Sequence, residues 1–92
     1  MAHCPETDLQ DLKDILAQVS LWKGIKTKRL GIYYFKSKGF LHFHIKGQER
    51  WADVRGKSAH FEKLPLPLGA SASQKEDFIK EIAAHYQALL PV

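Results

Sequence analysis

The stretch Phe40-Leu41-His42-Phe43-His44-Ile45 limits what this chain can fold into more than any other, because its alternation suits a strand with two chemically different faces. Leu41, Phe43 and Ile45 make one face, suited to a core, while Phe40, His42 and His44 make the other. A strand of this kind needs neighbours that continue each face, and turns that bring those neighbours alongside.

Turn signals lie on both sides. Lys46-Gly47-Gln48-Glu49 offers a two-residue hairpin loop closed by an opposite-charge pair, and Ser37-Lys38-Gly39 offers a turn upstream. The strands so connected are Leu30–Phe35, Phe40–Ile45 and Arg50–Arg55. Gly56-Lys57 can turn the chain into a weaker fourth run, Ser58–Lys63, which Pro65 and Pro67 bring to an end.

Helical periodicity flanks the strands. Leu9, Leu12, Ile15, Leu16 and Val19 recur at helical spacing behind a Thr7/Gln10 capping box, with Gly24 as the stop. A second box, Ser73/Glu76, precedes the stripe Phe78, Ile79, Ile82, Ala83, Tyr86, Leu89 and Leu90. Helix, three or four meandering strands, helix (α-β-β-β-(β)-α) is an α+β pattern with an antiparallel sheet. Each helix has one apolar stripe, so both are expected mainly on one sheet face, in a two-layer sandwich.

At 92 residues the chain is expected to form one domain over 1–92, with 1–6 a frayed terminus and 64–72 an extended proline-rich connector lying against the fold. A 45% hydrophobic and 26% charged composition excludes disordered and collagen-like classes. The apolar runs are far shorter than the roughly 18 to 20 residues that span a bilayer, so no membrane association is expected. The start Met1-Ala2-His3-Cys4-Pro5 lacks the basic and apolar regions of a signal peptide, and a cytoplasmic location is the expectation. Cys4, the single cysteine, removes internal disulfides and cysteine-rich zinc sites from consideration. The net charge of +4 is modest, but from Lys23 to Lys57 basic residues outnumber acidic ones ten to two. Such a middle can meet an anionic partner, and lysines also guard exposed turns and edges against aggregation.

Pairing the strands turns the alternation into a candidate site. With Gly47-Gln48 as the loop, His42 faces Asp53 and His44 faces Trp51; with Gly56-Lys57 as the next loop, Asp53 faces His60. Leu41, Phe43, Ile45, Ala52, Val54, Ala59 and Phe61 then share the core side, and Phe40, His42, His44, Trp51, Asp53, Arg55, His60 and Glu62 the other. In the upstream hairpin a two-residue loop adds Tyr33 and Phe35 to the histidine side, whereas a three-residue loop with left-handed Gly39 adds Ile32 and Tyr34.

This row admits three kinds of chemistry. Alternate strand residues lie about 6.5 to 7 Å apart at the backbone, so His42 and His44 can converge on one divalent metal ion, with Asp53 or His60 completing the set. Alternatively, Asp53 orients His42 or His60 for acid-base catalysis and Arg55 holds an anionic substrate. No Ser or Cys nucleophile accompanies the group in sequence, which favours binding over catalysis. Finally, Tyr33, Phe40 and Trp51 with Arg55 and the histidines form an aromatic, basic face. That face suits a protein partner or a second copy of the chain, and it also resembles a stacking platform for single-stranded nucleic acid.

The leading expectation is therefore a small binding or accessory domain, probed through Tyr33, Phe40, His42, His44, Trp51, Asp53, Arg55 and His60. The alternatives are a metal-binding protein or small acid-base enzyme using His42, His44, Asp53 and His60, and a single-stranded nucleic-acid binder. The phrase Ser37-Lys38-Gly39-Phe40-Leu41-His42-Phe43-His44, followed by Ala52-Asp53-Val54-Arg55, resembles a group of small bacterial proteins with no assigned activity. The resemblance covers the central third of the chain and implies no substrate, cofactor or catalytic residue.

Overall fold

The structure is a computed structural model and describes residues 4–56 and 60–90. Its centre is a five-stranded antiparallel meander in the order β1-β2-β3-β4-β5: β1 Ile25–Arg29, β2 Ile32–Phe35, β3 Lys38–Lys46, β4 Glu49–Arg55 and β5 Phe61–Pro65. A 3₁₀ segment, Glu6–Leu12, leads directly into α1, Lys13–Ser20, and α2 spans Ala72–Leu89. The α+β fold expected from the pattern is present, and no described helix is long and apolar enough to cross a membrane.

Both helices bury their stripes in one core. Leu9, Leu12, Leu16 and Val19 from the first segment and Phe78, Ile82 and Tyr86 from α2 pack with Leu41, Phe43, Ala52 and Val54, which share one side of β3 and β4. The opposite side of the sheet, which carries His42, His44, Trp51 and Asp53, faces away from both helices and is the open face. Tyr86 fastens the core at one end: its ring meets Trp22, Phe35 and Phe40, and its hydroxyl donates to the Lys23 carbonyl at 2.5 Å.

Several local features differ from the sequence reading. The first helix opens as a 3₁₀ segment that buries Leu9 and Leu12 and becomes α-helical from Lys13, burying Leu16 and Val19. Pro5 occupies its N-cap, and the Gln10 amide donates to the Glu6 carbonyl instead of closing a box with Thr7. On α2 the capping box is Ser71/Gln74, two residues before the expected pair, with both reciprocal bonds made. β1 is an additional edge strand with only Ile25 buried; without alternating apolar residues it carries no period-two signal.

The β2–β3 turn is Lys36-Ser37, both with positive φ, at 52° and 66°. This is the primed geometry that matches strand twist, adopted here without glycine. A bulge follows, since Tyr34 pairs with Gly39 but Tyr33 with Leu41, leaving Phe40 as the extra residue. The bulge puts Phe40 beside Leu41 in the core, against Tyr86, rather than on the histidine face. Tyr33, paired with Leu41, is also a core residue, whereas Ile32 pairs with His42. Burial raises the pKa of the Tyr33 phenol.

Between β3 and β4 the expected register holds: His42 pairs with Asp53 and His44 with Trp51. Between β4 and β5 it does not, because the turn is longer than two residues; the Gly56 N–H donates to the His60 carbonyl and Asp53 pairs with Lys63. Lys57, Ser58 and Ala59, expected to begin that strand, lie outside the described residues. A three-residue slip reverses facing, so Phe61 and Lys63 join the open face while Glu62 and Leu64 turn toward the helices.

Candidate functional site

β3 and β4 pair continuously from Leu41↔Val54 to Lys46↔Glu49, which makes them a firm base for side chains on the open face. Asp53 lies directly across from His42, yet its carboxylate reaches along the diagonal to His44, where Nε2 stands 3.0 Å from Oδ2. Diagonal neighbours on adjacent strands are within reach of long side chains, and here the bond draws the two groups together. One ligand-capable atom from each of His42, His44 and Asp53 falls within 4.8 Å of the others.

Each histidine is fixed by packing. His44 lies against the Trp51 ring, with centroids 5.6 Å apart, and is 8% exposed. Trp51 is equally buried and carries the Lys63 ammonium 4.4 Å from its ring centroid. The His42 ring meets Phe61 at 5.0 Å and His44 at 5.9 Å. Gly39 makes room for it: a Cβ at that position would come within 2.9 Å of His42 Nε2 and 3.8 Å of Phe61. Gly39 is thus a seat for the ring as well as part of the bulge.

Of the residues expected at the site, His42, His44 and Asp53 come together, with Trp51 as the wall behind His44. Arg55 shares the face but extends toward the β2–β3 turn, donating to the Phe35 carbonyl at 3.4 Å. His60 precedes β5, is exposed, and does not join the ligand cluster. Tyr33 and Phe40 are in the helix-side core. Phe61, assigned by alternation to the core, is instead 46% exposed beside His42.

For acid-base work the His44–Asp53 pair is the obvious unit, since a carboxylate accepting from one ring nitrogen fixes the tautomer. A nucleophile is harder to supply. Ser37 sits in the β2–β3 turn, and Cys4 is buried with its thiol pKa raised, first by burial and then by the Asp8 charge. Two imidazoles and one carboxylate with ligand-capable atoms within 4.8 Å of one another are, by contrast, a donor set of the type used by zinc and other divalent transition metals.

Two polar centres on the helix side escaped the sequence reading. Arg50 is 2% exposed, and its guanidinium donates to the Leu66, Asp8 and Pro67 carbonyls and to both Asp11 carboxylate oxygens. All its N–H groups are thereby used, and β4, the leading 3₁₀ segment and the proline-rich connector are joined at one point. The signal was a charged residue at a core-parity position of β4. The hydrogen bond from Arg50 holds Asp11 below the usual carboxylate pKa, with help from the Arg50 and Lys75 charges against burial.

The second centre is His85, whose Nδ1 and Nε2 lie 2.9 Å from the Glu81 carbonyl and the Glu62 carboxylate, joining α2 to β5. Burial alone would lower its pKa. The bonds to the Glu81 carbonyl and to Glu62 outweigh that and hold it above the ordinary imidazole value.

Comparison with known proteins adds no relative: no family model, curated protein or solved structure matches this chain.

Proposed function

We propose that the protein is a small ligand-binding module whose working surface is the open face of the sheet, and that its seat, His42, His44 and Asp53, takes a divalent transition-metal ion. The observation that carries this reading is the convergence of one ligand-capable atom from each of these side chains within 4.8 Å. Two nitrogen donors and one oxygen donor suit zinc, cobalt or iron in the divalent state, and three protein donors leave coordination positions open. The 3.0 Å separation of His44 Nε2 and Asp53 Oδ2 is close to the roughly 3.0 to 3.4 Å between adjacent donors on an ion with bonds near 2.1 Å.

Base stacking has less support from the same face. Trp51 is buried between His44 and Lys63, and Tyr33 and Phe40 belong to the core, so the planes a nucleobase would need are occupied.

The test is a titration of tag-free protein with Co²⁺, read by its visible absorption, for the parent chain and for His42→Ala, Asp53→Asn and His60→Ala. One ion per chain is expected, with binding weakened by at least about tenfold in the first two variants and unchanged in the third. No binding by the parent chain, or equal binding by all four proteins, overturns the proposal.

A further inference from the structure

The charge around the His42–His44–Asp53 seat says what else would enter it. Asp53 is the acid of the cluster, and it is flanked by cations on its own face. Lys63 is its direct partner across β5, and Arg55 follows two residues along β4. With neutral imidazoles, a divalent ion and one carboxylate leave a net positive charge, to which Lys63 and Arg55 each add one. Farther out, Lys46 and Glu49 face each other across the hairpin end and offset one another.

Both flanking cations have capacity left. Arg50, on the other face, uses every donor, whereas among the described residues Arg55 makes a single long bond, 3.4 Å from one terminal nitrogen to the Phe35 carbonyl. Lys63 rests its ammonium on the Trp51 ring, a contact that leaves its N–H groups available to an acceptor. By register, the ammonium and the guanidinium share the sheet face of the seat, so an ion with open positions, a point charge and a planar fork are all offered to the oxygens of one anion.

We infer that the open positions of the ion at His42, His44 and Asp53 take a phosphate group, coordinated by the ion and held by Lys63 and Arg55. This rests on the metal-binding reading above and extends it to a second ligand. Binding of the two is mutual: phosphate tightens the ion, and the ion tightens phosphate by the same factor.

The experiment measures Co²⁺ affinity with and without inorganic phosphate, kept below the solubility limit of cobalt phosphate. Phenyl phosphate and acetate are the parallel probes. In the parent chain phosphate is expected to strengthen Co²⁺ binding by at least about fivefold and to shift the cobalt spectrum. The ratio of affinities should fall toward one in Lys63→Gln and in Arg55→Gln, and stay at the parent value in Lys80→Gln, a charge change on the exposed side of α2. Phenyl phosphate acting like inorganic phosphate would identify the phosphoryl group as the recognised unit. An effect of inorganic phosphate alone would confine the site to the free anion, and either result supports the inference. Co²⁺ binding that phosphate does not alter, acetate matching phosphate, or a ratio unchanged in both variants overturns it while leaving the metal site standing. Failure of Co²⁺ to bind removes both.

Discussion

Arg50 and Asp53 are three residues apart on β4 and face opposite sides of the sheet, and the centres built around them differ in how completely they are used. At Arg50 five donors meet five acceptors, with 2% of the residue exposed, so nothing further can bind without breaking what is there. At Asp53 one carboxylate oxygen holds one imidazole, and a second imidazole stands close by with its ring set between Gly39 and Phe61. Two buried or half-buried charged groups on one strand thus divide into a closed joint and the seat proposed for a ligand. What closes the joint is that every N–H of the Arg50 guanidinium is engaged.

The largest effect that would break this contrast is on the joint. Arg50→Ala leaves Asp11 and three carbonyls without their donor and should lower unfolding stability by about 3 to 5 kcal/mol, read from urea midpoints. Replacing both partners, Arg50→Met with Asp11→Leu, should recover part of that loss, because the unpaired carboxylate goes too. A loss below about 1 kcal/mol in Arg50→Ala would show the joint to be no more than a surface pair. The Asp11 contribution is present above about pH 3.9 and disappears as pH falls through its lowered folded value, so Arg50→Ala should also flatten the acid limb of the stability curve.

A smaller effect belongs to His85. Its folded pKa is raised, so its contribution is complete below about pH 6.5 and is lost as pH rises through the folded value. Melting temperatures of the parent chain should therefore fall across that window relative to those of His85→Gln, by an amount matching a partly exposed pair, under about 1 kcal/mol. Parallel curves for the two proteins would remove the pair from any account of stability.

The smallest effect on stability should come from Gly39→Ala, where the added methyl meets the end of a side chain and not backbone. Folding should change by less than about 0.5 kcal/mol, as for other changes that disturb no core or buried bond. Co²⁺ affinity, however, should weaken as the His42 ring shifts. Unaltered affinity would mean that Gly39 does not position the ring.

How much of this was legible in the sequence depended on period and loop length. The alternation in Phe40–Ile45 and the two-residue loop at Gly47-Gln48 placed His42 opposite Asp53 correctly, because an even loop with apolar agreement on one face leaves little freedom of register. His60 was misplaced because the next turn is longer, and a three-residue slip exchanges the faces of β5. Phe40 was misplaced because a bulge adds a residue that no alternation rule anticipates. Arg50 and the His85–Glu62 pair were missed for another reason: their partners are 39 and 23 residues away from them in the chain, and only tertiary packing brings them together.

The bulge at Phe40 also decouples the seat from the turn beside it. Since Gly39 and Phe40 reset the phase of β3 before His42 is reached, the facing of His42 and His44 is governed by their pairing with β4 and not by the length of the Lys36-Ser37 loop. A residue gained or lost in that loop can be taken up where the strand is already out of step. The two histidines would keep their address on the open face while the hairpin tip changes.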